Sequence, residues 1–477
     1  MPHRLALLDF QSPFIDHTNQ NSYSRPMTTD SMFLSAERST ASLARIVCEL
    51  RDGDIPPELT ERARSILLDL LGVTIAGART NELRALSATW RLEEGKTRTL
   101  GSRIATTISA AAELDAIAAC CLELDEGNKY AAGHPAAHVV PAAIAATRLS
   151  STPVDGHTFL AAIVAGYEVA ARFGHALTRD SRWHTHGHWG ATGAAAAAAS
   201  IWGADVDRVA AAIDSSAALI HVSPWGVVLE GNFARNLWIA GAVRAGLDAA
   251  RLSEAALVDN SGALVHSLGD IVGTLDYPRL TEDLGTRWLT MEGYAKQHAS
   301  CSYTHAAIDT VQSLRAHAPW NAEDVEQVRV RTHSLAAPLF QRHPTTRLGA
   351  MFSLPFAVAA AFVTDRIDTE ALDPAGPVFT IAEEFSNRVD VTAATELDEL
   401  LPGRRAAEVT VVLRSGEKIS AMTPNPVGDV DHFPMDHAAI EAKIARLIGE
   451  DTAGKLATLI DLLPHTSDVE LLLDTLQ

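Results

Sequence analysis

The chain is poor in thiols, in positive charge and in long apolar runs, and each shortage removes a class of protein. Four cysteines occur in 477 residues, Cys48, Cys120, Cys121 and Cys301. No CxxC pair is present, which excludes a disulfide framework and a thiolate metal ribbon and fits a reducing compartment. Basic residues number 39 against 59 acidic ones, a formal charge of −20. With no Lys/Arg cluster to offset it, that charge repels nucleic acid and anionic membrane surfaces. The longest apolar stretch, around 194–202, is short and alanine-rich, so no membrane-spanning helix is expected. Asp9 interrupts the N-terminal stretch where a secretory signal would be apolar, and the protein is read as cytoplasmic. GxSxG, Walker A, Rossmann, EF-hand and HExxH patterns are missing too, which argues against the commoner hydrolase, nucleotide, calcium and zinc-protease readings.

What the chain does have is alanine, glycine and helical periodicity. Residues 1–38 are polar and aperiodic and read as a flexible arm, or as residues upstream of a true start at Met27 or Met32. From Ser39 to 269 the pattern is helical: Leu59, Ala63, Ile66, Leu67, Leu70 and Leu71 recur at helix spacing after the Pro56-Pro57 break. Small residues on these faces let helix axes approach closely, so a large all-helical domain is expected. The texture changes near residue 270. VEQVRVRTH (325–333) and AEVTVVLRSGEKISAMT (407–423) alternate like strands, the second with Ser415-Gly416 at a hairpin turn, and helical segments lie between them. A smaller α+β domain over 270–423 follows, with residues 424–477 as helices packing back on the first domain.

Four clusters carry possible chemistry. In LELDEGNKYAAGHPAAHVVPAA (122–143), Pro135 suits a first helical turn, which puts His134 at the cap and His138 one turn on. Glu123, Asp125 and Glu126 precede it, so carboxylates and imidazoles converge at a helix N-terminus; the ordinary alternative is a surface loop before a capped core helix. In WHTHGHWGATGAAAAAAS (183–200), an extended backbone would turn His184, His186 and His188 to one side as in a metal site. Without a nearby cysteine the other readings are an acid or base before a helix, or a tightly packed helix entry. In EGYAKQHASCSYTHAAID (292–309), Cys301 and His305 are four apart on an expected helix, which suits a Cys–His nucleophile or simply a buried thiol. Lys296 is the better candidate there, as a cation for an anionic substrate. Arg235 opens an otherwise apolar helix, where a lone cation pairs with an acid or holds a ligand carboxylate.

Together and in this order, these segments resemble the MmgE/PrpD family, which includes 2-methylcitrate dehydratase, cis-aconitate decarboxylase and iminodisuccinate epimerase. The likeness runs from about Ser39 to the C-terminus through IPPELTERARSILLDLLGVTIAG, ELDE, GHPAAHVVPAA, WHTHGHWGATGAAAAAA, AVRAGLDAA, AKQHASCSYTHAAID, SLPFAVAAAF and the hairpin ending near NPVGD. It implies a mainly α protein with a large helical and a smaller α+β domain, usually a homodimer, with the active site in the cleft between domains. It also implies lyase or isomerase chemistry on small di- or tricarboxylates without metal or organic cofactor. Carried over residue by residue, it marks Glu123, Asp125, His134, His184 and Lys296, with Asn128 near a position where the decarboxylase has a hydroxyl residue.

Two departures stand out. Arg235 occupies the place of a lysine ahead of Ala242-Val243-Arg244-Ala245-Gly246-Leu247, and the S-x-x-Y position reads Ser353-Leu354-Pro355-Phe356. Arginine is a poor proton donor and phenylalanine is none, which weakens the case for decarboxylation. The expected mechanism has His134 or His184 as base and the other as acid, with Asp125 orienting an imidazole or binding a substrate hydroxyl. Lys296 and Arg235 hold substrate carboxylates, and Glu123, Asn128, His188 and Cys301 complete the binding wall. A dehydratase comes first, an epimerase, isomerase or decarboxylase second, a zinc hydrolase last. A non-catalytic carboxylate-binding protein is the reading from another class.

Overall fold

The computed structural model describes residues 29–90, 93–102, 104–316 and 318–475. The expected arm over 1–28 lies outside the described residues. Residues 29–38 do not belong to an arm: they open the helix Thr29–Asp52. Ala36 is fully buried, and the Phe33 ring lies against Gly262 and edge-on to His266 at 5.2 Å. Burial of that face fixes the added turns, although the polar neighbours hide it in the sequence.

The protein is mainly α, with a smaller α+β part. At the centre of the helical part lies Gly190–Ile201, buried along its whole length among Pro135–Leu149, Gly156–Ala176, Val206–Ser216 and Leu237–Glu254. Its alanines and glycines make this crowding possible. A methyl on Gly193 would sit 2.3 Å from the Gly166 carbonyl oxygen, and one on Gly246 would sit 2.5 Å from the Ala194 methyl. The backbones therefore meet where only glycine fits.

Between the two parts, the chain keeps returning to the helical one. Gly273–Leu275 pairs with Leu177–Arg179, and Gly293–Tyr294 pairs with Gly127–Asn128, both antiparallel. Beyond Tyr294 a four-stranded sheet forms in the order Lys418–Thr423, Ala407–Leu413, Val325–Thr332, Val389–Ala393. The first two are joined by a turn with Gly416 at φ 86°, and the last pair is parallel. Val328, Val330 and Thr332 alternate inward against the helices Ser302–Ala316 and Leu354–Val363. His437–Ile448 and Glu450–Leu462 then pack on Pro57–Ala78. Ile444 fills the space over Gly72, and Lys443 Nζ reaches Asp69 at 2.6 Å and the Leu124 carbonyl at 2.9 Å. Among the described residues no helix is long and apolar enough to cross a membrane.

Candidate active site

The segment 122–134 is folded by its own acids. Ile108–Cys120 ends, and Glu123 takes a left-handed conformation, φ 52°, that turns the chain back into the protein. Glu126 closes the segment: its Oε1 accepts from the Ala136 N–H at 2.7 Å and its Oε2 from the Tyr167 hydroxyl at 2.9 Å. It thus caps Pro135–Leu149, for which His134 supplies the first backbone position. Burial pushes the Glu126 carboxyl up to about 8, so it serves this cap largely as a neutral acid.

Glu123 is the hub of the charges. Its Oε1 accepts from Arg235 Nη2 and its Oε2 from Lys296 Nζ at 3.0 Å, and all three side chains are buried. Burial alone would raise the Glu123 carboxyl; the Arg235 and Lys296 charges outweigh it and hold it down at about 2. Asp125, fully buried and with neither carboxylate oxygen hydrogen-bonded, lies 3.8 Å from Lys296 Nζ and 3.2 Å from His134 Nδ1.

The two histidines have different tautomers. His134 Nδ1 is 2.7 Å from the Glu126 carbonyl, which only accepts, so Nδ1 carries the proton and Nε2 is the basic atom. At His184 the order is reversed. The His186 backbone N–H donates to its Nδ1 at 3.3 Å, so the neutral ring carries its proton on Nε2. Burial lowers the pKa of both rings, against the pull of Asp125 at His134 and with the help of Arg235 and Arg179 at His184. Both rings are therefore neutral at pH 7.

The run 183–190 is turns, not an extended strand, with Gly187 at φ 91°. The three histidines consequently do not point to one side. His188 donates from Nε2 to the His184 carbonyl at 2.7 Å, which the Ser223 hydroxyl also reaches at 2.8 Å, so it positions the His184 backbone. His186 is packed edge-on between His184 and His134, with centroids 4.4 and 5.1 Å away. Among the described residues no group of three or more His, Cys, Asp and Glu side chains is placed to hold a metal ion. Gly190 gives room for the His138 ring, which a methyl would approach to 2.3 Å.

His134 and His184 share the wall of a cavity of about 130 Å³ with Glu123, Cys301, Tyr294, Tyr303, Trp225 and Phe352. A cavity of this size suits a small acid. Residues of both parts line it. In the larger hollow between Ile108–Cys120 and Leu237–Glu254 both arginines are paired, Arg251 with Asp248 at 2.8 Å and Arg244 with Glu113 at 3.6 Å.

The family signature of the MmgE/PrpD N-terminal domain matches residues 41–267, and that of the C-terminal domain matches residues 298–457. The chain belongs to the MmgE/PrpD family. It is 25% identical over 423 residues to a cis-aconitate decarboxylase-like protein of Aspergillus oryzae, covering 82% of this chain and 86% of that relative. It is 22% identical over 473 residues to a cis-aconitate decarboxylase of Aspergillus terreus, covering 92% of this chain and 95% of that one.

In this MmgE/PrpD chain the residues expected at the site fall into three groups. Glu123, His134, His184 and Cys301 face the cavity. Asp125, Lys296 and Arg235 stand directly behind them; the two cations, expected free for ligand, are bonded to Glu123. Asn128 and His188 are elsewhere. The Asn128 amide accepts from the Tyr130 and Ala131 N–H groups and donates to the Leu289 carbonyl at 2.7 Å, which fixes the loop. Cys301 makes no bond to His305, whose Nε2 goes to the Ser300 carbonyl, and burial pushes its thiol up to about 11. That is a thiol, not a nucleophile poised at neutral pH. The phenol found wanting at Phe356 is no loss to the cavity, because Phe356 packs on Phe379 at 4.7 Å while Tyr294 and Tyr303 line the wall. Tyr294 and Tyr303 lie within the run 292–309 but are not singled out by its spacing, whereas Arg179 and Arg405 belong to no motif and are visible only in the fold.

Proposed function

We propose that the protein is a lyase that moves a proton at the carbon next to a carboxylate of a small di- or tricarboxylate. The observation that carries this reading is the pair of neutral histidines of opposite tautomer on one cavity wall. A basic Nε2 at His134 accepts the α-proton, and Asp125, 3.2 Å from its Nδ1, stabilises the imidazolium that results. The His184 Nε2–H donates a hydrogen bond to the oxygen on which charge develops.

Dehydration of a 2-methylcitrate-like hydroxy acid is the first reading, because removal of a proton needs a base and decarboxylation needs none. The α-proton goes to His134, the C–O bond breaks with its electron pair on oxygen, and the proton held by His134 joins that oxygen as water leaves. Decarboxylation of a cis-aconitate-like acid is the second reading. The names of the relatives support it, and so do the cavity phenols. There the C–C bond breaks, its pair stays on carbon, and Tyr303, whose hydroxyl burial pushes up to about 12, supplies the proton. Epimerisation is less well served, since it needs a base and a proton donor on opposite faces of the carbon, whereas both histidines stand on one wall and the neutral His184 ring is a weak acid.

Proton NMR in D2O with EDTA present tests the reading on methylcitrate, citrate, cis-aconitate and iminodisuccinate. Water loss from a hydroxy acid supports the dehydratase, CO2 loss the decarboxylase, and deuterium uptake without either the epimerase. No change in any of the four refutes the lyase reading.

A further inference from the structure

Lys296 and Arg235 are both occupied by Glu123, so the positive charge available to an anion in the cavity must come from elsewhere. Two arginines line it, Arg179 and Arg405. Arg405 lies just ahead of the strand Ala407–Leu413 in the α+β part; Arg179 ends the short strand Leu177–Arg179 of the helical part. The guanidinium of Arg405 is 5% exposed, lies over the Tyr294 ring at 4.2 Å and donates from Nη1 to the Ser302 hydroxyl at 3.0 Å. Its Nε and Nη2 are buried and make no hydrogen bond, and the Tyr294 phenol is the neighbour that draws most on the guanidinium. Asp429 acts on it from a distance, but Lys129 already holds that carboxylate at 3.2 Å. Arg179 donates from Nε to the Trp183 carbonyl at 2.7 Å, and burial lowers its pKa. Tyr303 stands in the field of both arginines.

A buried guanidinium edge without an acceptor is costly. The Nε–Nη2 edge is the fork that matches a carboxylate with two parallel hydrogen bonds. We infer that Arg405, with Arg179 across the cleft between the two parts, forms a specificity-determining subsite for a remote carboxylate of the ligand, distinct from the Glu123 hub. The inference rests on the lyase reading for its substrate class. It requires a ligand with at least two carboxylates, one near His134 and one on the arginine fork. A ligand bound there bridges one arginine from each part.

Isothermal titration with tricarballylate tests it. This acid has no hydroxyl group or double bond and cannot be turned over, so its binding reports the subsite whatever the reaction. Wild-type protein is expected to bind tricarballylate at least 100-fold more tightly than propionate. Arg405→Gln and Arg179→Gln should each weaken tricarballylate at least tenfold, with Arg405→Lys in between, because an ammonium lacks the fork. Arg405→Gln also loses the Ser302 bond; should it fail to fold, Arg179→Gln decides alone. Tricarballylate affinity unchanged in a folded variant overturns the subsite, as does equal binding of propionate by the wild type. Tight, arginine-dependent binding with no turnover of any acid leaves the subsite standing and overturns the lyase reading instead.

Discussion

Replacing Glu123 by Gln keeps the shape of the side chain and removes the charge that is bonded to both Arg235 and Lys296. Its size can be worked from the structure. An ordinary glutamate sits at 4.5, and Glu123 in the fold is held at about 2. At about 1.4 kcal/mol per pH unit, the depression is worth roughly 3 kcal/mol. An independent estimate agrees: removing one partner of a buried ion pair costs about 3–5 kcal/mol. Because the folded value is depressed, this stability is fully present above pH 4.5 and is lost as the pH falls toward 2. Urea denaturation of wild type and Glu123→Gln at pH 7 should therefore differ by about 3 kcal/mol. The gap should narrow as both are measured below pH 4.5. A difference under about 1 kcal/mol at pH 7, the size of an exposed pair, would refute the hub.

Other outcomes follow from the same geometry. Gly193→Ala drives a methyl to 2.3 Å from the Gly166 carbonyl, and overpacking of about 1–3 kcal/mol should lower Tm in a thermal melt despite better helix propensity. With His134 as base and its pKa below the usual 6.5, the acid limb of kcat/KM should be centred below pH 6.5; an acid limb centred above 6.5 would contradict it. Since burial pushes the Cys301 thiol up to about 11, iodoacetamide at pH 7.5 should leave it unmodified in the folded protein, as read by intact mass.

The sequence made the site legible wherever function sits in a local run. The stretches 122–143, 183–200 and 292–309 meet around one cavity, because each places its polar residues at a helix entrance that the fold turns inward. Geometry inside those runs was not legible. An extended backbone would have aligned His184, His186 and His188, but Gly187 at φ 91° breaks the alternation. Asn128 and His188 look like ligand groups until their hydrogen bonds are seen to end on backbone carbonyls and amides. Arg405 and Arg179 carry no spacing signal at all. Arg405 is the second of two arginines ahead of a strand and Arg179 the last residue of one, and what distinguishes Arg405, a buried edge without a hydrogen bond, exists only once the strands bring Tyr294 and Ser302 to it. The helix from Thr29 was concealed in the same way, by polar residues on the face it leaves exposed.

The central claim is that His134 Nε2 is the base. Asn at this position keeps a donor near the place of Nδ1, toward the Glu126 carbonyl, but has no basic atom where Nε2 stands. Exchange of the α-proton of the acid that the wild type turns over, followed by NMR in D2O, should fall at least about 100-fold in His134→Asn, the scale of lost general-base catalysis. Tricarballylate binding and Tm should stay near the wild-type values. Exchange at the wild-type rate in a folded His134→Asn protein would contradict the account.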